Sequence, residues 1–241
     1  MKPRARLLLF LPAAAGLAAL LLWGLAGLPA FGDYHHAYGN VLNGVELAER
    51  HATNVAAAVV FDYRGLDTMG EELILFAAAM GVALLLRGAR PASVGAPRER
   101  MQSEAVRAVG LIAVPVVVLL GLQLVAHGYL TPGGGFQGGI VVGGGALLVY
   151  LAGEYRAFVR GVPKPLVDLA EGIGAGGFVA LGLVSLAFGE AFLNNFLPLG
   201  KPGELLSTGS IPLVNWAAGV EVAAALVLIV AEFLEEAMER R

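Results

Sequence analysis

The sequence predicts an all-α membrane protein with six transmembrane helices and both termini in the cytoplasm. Three observations carry that reading. Of 241 residues, 57% are hydrophobic and only 15% charged, against about 25% charged in soluble domains, and mean hydropathy is +0.74. The apolar residues gather into runs near the roughly 20 helical residues that cross a hydrocarbon core. The basic residues fall on alternate connections, which is the signature of a fixed orientation in the bilayer.

The first run, Leu7–Ala30, has 24 uncharged residues after the basic start Lys2, Arg4 and Arg6. A signal peptide has an apolar region of about 7–15 residues, so this run reads as a retained membrane helix. Phe31–Gly70 is the longest polar segment, with His35, His36, His51, Asp33, Glu46 and Glu49. Leu73–Leu86 is short for a span, but Asp67 or Thr68 as N-cap lengthens the helix to about 20 residues, with Glu71 and Glu72 in its first turn. Arg87–Arg107 is then a basic loop containing Pro91 and Pro97.

The third span is expected at Ala108–Ala126 and the fourth at Phe136–Gly153, with a second basic loop over Glu154–Leu169. The fifth is Ala170–Gly189. A Pro/Gly loop, Glu190–Ser210, leads to the sixth, Ile211–Ala231, uncharged except for Glu221. With the N-terminus inside, the inner segments hold Lys2, Arg4, Arg6, Arg87, Arg90, Arg98, Arg100, Arg107, Arg156, Arg160, Lys164, Arg240 and Arg241. That is 13 of the 16 basic residues; Arg50, Arg64 and Lys201 lie outside.

Between the third and fourth spans, His127–Gly139 reads His-Gly-Tyr-Leu-Thr-Pro-Gly-Gly-Gly-Phe-Gln-Gly-Gly. Proline removes a backbone donor and glycine admits backbone geometry that other residues resist. A structural turn or broken helix is therefore expected over Pro132, Gly133, Gly134, Gly135, Phe136, Gly138 and Gly139. It should pack against protein, because irregular backbone is not stable against lipid. Glycines at 134, 138, 139 and 143 give the small-xxx-small spacing of close membrane-helix contacts.

Composition excludes several chemistries. With no cysteine there are no disulfides, thiolate zinc sites, iron–sulfur ligands or cysteine nucleophiles. A net charge of −3 without an interleaved basic and aromatic stripe gives no footprint for nucleic acid. The Gly-rich turn lacks the Gly-Lys-Ser/Thr ending of a phosphate loop. Adjacent His35 and His36 do not share a helix face, so no metal site is expected there. No Ser/His/Asp arrangement assembles, and no cofactor or enzymatic activity is expected.

Glu221 is the sharpest single signal. A carboxylate at mid-bilayer costs a few kcal/mol or more, so it must face protein or water, pair with a cation or hold a proton. It reads as a proton or cation relay, or else as a neutral carboxyl fixing helix packing. Asp62, Arg64, Asp67 and Glu71 place three carboxylates around one arginine, either guiding cations to an entrance or simply capping a helix. His127 titrates near physiological pH, and Gln137 offers an oxygen to a cation or to the backbone of the turn.

Gly128–Gly139, with its Pro-Gly-Gly-Gly-Phe-Gln-Gly-Gly, resembles the signature of the B subunit of Mrp-type multisubunit Na+/H+ antiporters. Asn194–Trp216, with Asn-Asn-Phe-Leu-Pro-Leu-Gly-Lys-Pro-Gly-Glu and Ser-Ile-Pro-Leu-Val-Asn-Trp, resembles the same family's segment before its last helix. This resemblance covers about residues 101–241. Asn54 through Glu71, including Phe-Asp-Tyr-Arg-Gly-Leu-Asp-Thr-Met-Gly-Glu, resembles the C-terminal membrane region of the large A-type protein of the same antiporters. In membrane-bound hydrogenases a similar module is a separate small protein of the complex.

The resemblance implies a fusion of two modules, a two-helix one at residues 1–90 and a four-helix one at 101–241. It further implies a plasma-membrane component that works with other subunits to exchange Na+ and H+, and it adds weight to Asp62, Asp67, Glu71 and Glu221. The alternatives are an ion-translocating component of a hydrogenase-related or respiratory redox complex, or a structural scaffold.

Overall fold

The computed structural model describes residues 3–28, 37–89 and 103–239. Every regular element among them is helical. In order these are α1 (Pro3–Ala26), α2 (Ala37–Arg50) and a short α3 (Val55–Ala58), which runs on through a π-helical stretch, Val59–Tyr63. Then come α4 (Gly65–Ala89), α5 (Glu104–Ala126), α6 (Gly135–Gly161), α7 (Lys164–Ala187) and α8 (Ile211–Glu239). Five are long and apolar enough to cross a membrane, and α1 contributes a shorter apolar stretch, Phe10–Ala26. The chain is a multi-pass membrane protein.

The chain divides into two compact units, Met1–Val41 and Leu42–Arg241. In the first, α1 exposes Leu17, Leu20, Leu21, Trp23 and Leu25. Such an apolar helix surface is at home in lipid. The basic residues Lys2, Arg240 and Arg241, the His35–His36 pair and much of the Arg87–Arg107 loop lie outside the described residues.

The second unit is built around α8. Ala218, Val222, Ala225 and Leu228 of that helix are fully buried. Helix α6 lies on it through Gly135, Gly139 and Gly143, whose missing Cβ atoms leave room for the backbone of Asn215, Gly219 and Ala223. Gly138, on another face of α6, packs on Gly121 and Val125 of α5. The spacing of the small residues thus serves two partners at once. Outward-facing Ile74, Leu84, Leu85, Ile112, Leu119, Leu120, Leu166 and Ile173 are exposed, the inverse of a water-soluble surface.

Several boundaries move from their expected places. Helix α4 starts at Gly65, so neither Asp67 nor Thr68 is its N-cap. The π-helical stretch displaces backbone bonding there: the Thr68 hydroxyl donates to the Val60 carbonyl at 2.6 Å, and the Arg64 N–H to the Val59 carbonyl at 2.8 Å. Such insertions recur at functional sites. The expected loop Glu154–Leu169 shrinks to Val162 and Pro163, because α6 continues to Gly161 and α7 begins at Lys164 with a proline in its first turn. Basic residues suit the last turn of a helix, and proline suits the first.

Candidate functional site

The Gly-rich turn is a connection between α5 and α6, held by side chains from elsewhere in the second unit. The Asn54 side-chain amide donates to the carbonyls of Gly128 (2.6 Å) and Thr131 (3.1 Å), and Thr53 donates to Leu130 at 2.5 Å. Asn215 of α8 bridges the two ends of the turn. Its Nδ2 donates to the Val125 carbonyl and its Oδ1 accepts from the Gly135 N–H, both at 2.5 Å. Asn215 is fully buried, and it satisfies two backbone groups that a helix end leaves open.

His127 caps α5, and its carbonyl accepts from Leu130 (2.8 Å) and Thr131 (2.9 Å). Its side chain does not line the cavity below the turn. That cavity, about 260 Å³, is bounded by Gly133, Gly134, Phe136 and Gln137 on one side and by Thr68, Glu71 and Glu72 on the other. Two of the sequence candidates, Glu71 and Gln137, therefore share one space.

At the floor of this cavity begins the main feature of the interior. Glu72 of α4 is 2% exposed, while Glu221 of α8 and Glu171 of α7 are 0% exposed. Glu72 faces Glu221 at interaction range, and Glu221 in turn has Glu171 as a charged neighbour. Independent packing supports that order. A Cβ on Gly174 would come within 2.6 Å of the Glu221 Cα, so α7 lies directly against α8 there, and Glu171 is one turn away on the same face. Both oxygens of Glu171 have no hydrogen-bond partner, and the Glu221 carboxyl has none but the Glu72 carboxyl it faces. Among the described residues no three acidic or histidine groups converge to hold a metal ion; these carboxylates stand in file.

Beyond Glu171 the chemistry changes. Arg87 of α4 reaches Asp168 of α7 at 3.0 Å and Glu232 of α8 at 2.7 Å. Lys164 reaches Glu232 at 2.8 Å and Glu235 at 3.3 Å. The Tyr155 hydroxyl donates to Glu235 at 3.0 Å. Glu232 is fully buried, and two cations compensate it.

The opposite end of the unit carries the other sequence candidates, and it splits them. Arg64 pairs with Asp67, its Nε donating at 2.7 Å. Asp62 does not join that pair. It forms an ion pair with Arg50, Nε to Oδ2 at 2.7 Å, and accepts from the Asn195 amide at 3.2 Å. Asp62, Arg64 and Asp67 still line one cavity of about 560 Å³, but there Arg64 pairs with Asp67 and Asp62 with Arg50.

Burial raises the Asp62 carboxyl above its ordinary value, while Arg50 and Asn195 pull against that rise. Burial also raises Glu46, on α2. The Tyr63 hydroxyl donates to Glu49 at 2.7 Å, and burial followed by this bond pushes its phenol up to about 12. Asn195 further accepts from the Ser210 N–H at 2.7 Å across Gly209, whose φ of 66° and closeness to that amide both require glycine.

Glu72 and Glu171 are functional candidates that sequence reasoning missed. By sequence Glu72 serves a helix start, and Glu171 lies at the edge of a span. A signal for Glu171 did exist: Glu171, Gly174, Ala175, Phe178, Gly182 and Ser185 form a buried stripe at helical spacing.

Fold and site together define a polytopic membrane protein with a file of carboxylates in its interior. Residues 105–228 match the family model described as a domain related to the MnhB subunit of Na+/H+ antiporters, and residues 9–102 match the model for the E subunit of MBH. The chain belongs to this MnhB-related family.

An uncharacterized protein of Methanocaldococcus jannaschii is 32% identical over 206 residues, which is 77% of this chain and 78% of that protein. A probable K+/H+ antiporter A/B subunit of Rhizobium meliloti is 32% identical over 190 residues, 69% of this chain but 18% of that protein. Among solved structures, a chain of the membrane-bound sulfane sulfur reductase, an archaeal respiratory membrane complex, superposes with a TM-score of 0.69 at 31% identity. The match covers 95% of this chain and 98% of that one. A chain of the Mrp complex from a Dietzia species gives 0.66 at 25% identity, over 96% of this chain and 26% of that one.

Proposed function

We propose that this chain is a membrane subunit of a multisubunit monovalent-cation/proton antiporter and forms part of its ion-translocation region. The observation that carries the reading is Glu221, fully buried in a membrane helix and facing a second carboxyl on another helix. Nothing in a scaffold requires such an arrangement, and a purely structural site would be more stable apolar. The family match and the likeness to chains of multisubunit membrane complexes support the same reading. The chain works with other subunits, in the bilayer, on Na+ or a similar cation and on H+.

In this proposal α1 is a sixth span and both termini face the cytoplasm, placing Arg87 and Lys164 inside and Asp62, Arg64 and Asp67 outside. The chain joins two modules, residues 1–90 and 101–241. The cavity at Glu71, Glu72 and Gln137 is the approach to the buried carboxylates, and the protein has no catalytic chemistry of its own. A second reading, membership of a redox-driven respiratory complex, is favoured by the near-complete coverage of the sulfane sulfur reductase chain.

The test is cation-dependent proton exchange in inverted vesicles holding the whole complex, with Glu221→Gln at equal assembly. Lost exchange supports the role, and unchanged exchange removes Glu221 from the ion path. Exchange that requires an added electron donor selects the redox-driven complex.

A further inference from the structure

Helical rise gives the depth of each ionisable group. At about 1.5 Å per residue, Glu72 lies about 10 Å from the start of α4 and Glu221 about 15 Å from the start of α8. Glu171 lies about 24 Å from the end of α7, which sits at that same side, and Glu232 about 32 Å along α8. The groups descend across the unit in the order Glu72, Glu221, Glu171, then Asp168 with Arg87 and Glu232. Each step joins groups that packing brings near: Glu72 faces Glu221, Glu171 is one helical turn from Gly174, which packs on Glu221, and Asp168 is one turn from Glu171 on α7.

We propose that this file is a complete proton route through the chain, with Glu171 as the group that hands protons from Glu221 to Asp168. The inference rests on the antiporter reading and assigns the ion carried by the carboxylate file as H+.

Chemistry favours the proton over a metal cation. A dehydrated metal ion needs several oxygen ligands converging on one point, whereas these carboxyls follow one another in depth, and among the described residues no three acidic or histidine groups converge. A carboxyl that has taken up a proton is neutral and can donate one hydrogen bond onward. Neutral carboxyls are also far cheaper to bury without a cation than carboxylates. The groups facing each member are accounted for: Glu71 and Glu221 at Glu72, Glu72 and Glu171 at Glu221, and Asp168, Arg87 and Glu221 at Glu171.

The release step balances without a further reactant. The Glu171 O–H bond breaks as its proton moves to the Asp168 carboxylate, which becomes neutral. Neutralisation loosens the Asp168–Arg87 pair, and Arg87 keeps its second partner, Glu232, at 2.7 Å. The Asp168 side chain is 38% exposed, so its proton passes to water. Glu171, now a carboxylate, takes the next proton from Glu221.

The test uses the intact complex. Glu171→Gln should slow cation-driven proton movement by about a hundredfold. It should also remove part of the protonated-carboxyl stretch in the infrared difference spectrum between acidic and alkaline samples. Wild-type exchange with an unaltered carboxyl band overturns the inference. Lost exchange with an unaltered band overturns it as well, since Glu171 would then be structural. If Glu171→Gln does not assemble, Glu171→Asp, which keeps the titrating group, should slow exchange and displace its pH profile; a wild-type profile counts against the route. Glu221→Gln run in parallel separates the two claims. A silent Glu171→Gln beside an inactive Glu221→Gln sinks only the route, whereas two silent variants sink the antiporter reading itself.

Discussion

Glu221 and Glu232 sit on the same helix, both fully buried, eleven residues and so about three turns apart. They therefore share a face of α8, toward α4 and α7. Yet one is met by Glu72 and Glu171, and the other by Arg87 and Lys164. The burial cost is similar and the compensation opposite. A carboxylate with two cations stays ionised and ties helices together. A carboxyl whose neighbours are carboxyls has no such tie, and in the role proposed above it takes up a proton. Burial alone therefore says little about role; the partner group decides it.

The largest test of that contrast is Glu221→Gln. It should lower proton exchange about a hundredfold while changing the stability of the protein by less than about 1 kcal/mol, because no cation loses its partner. A large loss of stability would erase the distinction between the two sites. Glu232→Gln should do the reverse in stability, costing about 3 kcal/mol and lowering the Tm of the detergent-solubilised complex, since Arg87 and Lys164 are left partly buried. If the Tm holds, the ion pairs there contribute nothing.

Asn215→Leu sharpens the comparison from the other face of α8. It leaves the Gly135 N–H and the Val125 carbonyl unpaired and should cost about 2 kcal/mol, read as faster amide hydrogen exchange in the turn between α5 and α6. The smallest effect is expected at Tyr63, whose hydrogen bond to Glu49 contributes about 0.5 kcal/mol. Its folded phenol titrates above the unfolded one, at about 12 rather than 10. The contribution is then complete below pH 10 and fades as the pH rises toward about 12. Tyr63→Phe should remove one late-ionising tyrosine from the ultraviolet titration; an unchanged curve would place Tyr63 in ordinary contact with water.

Much of the fold was legible residue by residue. The apolar runs located the long helices, and the Pro-Gly-Gly-Gly run located the break before α6, because both rest on local physics. The candidate site was legible only where depth itself was the signal, as at Glu221. Glu72 sits beside Glu71 at an expected helix start, and in sequence the two read alike; only packing against α8 turns one inward and leaves the other at the cavity mouth. Asp62 looks like a partner for Arg64 because they are two residues apart, but the π-helical stretch gives it to Arg50.

By itself, then, the sequence determined that the chain is helical, crosses a bilayer several times, breaks before α6 and carries one carboxylate at mid-span. Hydropathy, proline and glycine act over a few residues, so no partner is needed to see them. Which carboxylates share a space, and which meet a cation, was decided only by the tertiary structure. Those facts depend on the rotation of α4, α7 and α8 about their own axes, and that rotation is set by contacts such as Gly174 on Glu221, made between residues far apart in the chain.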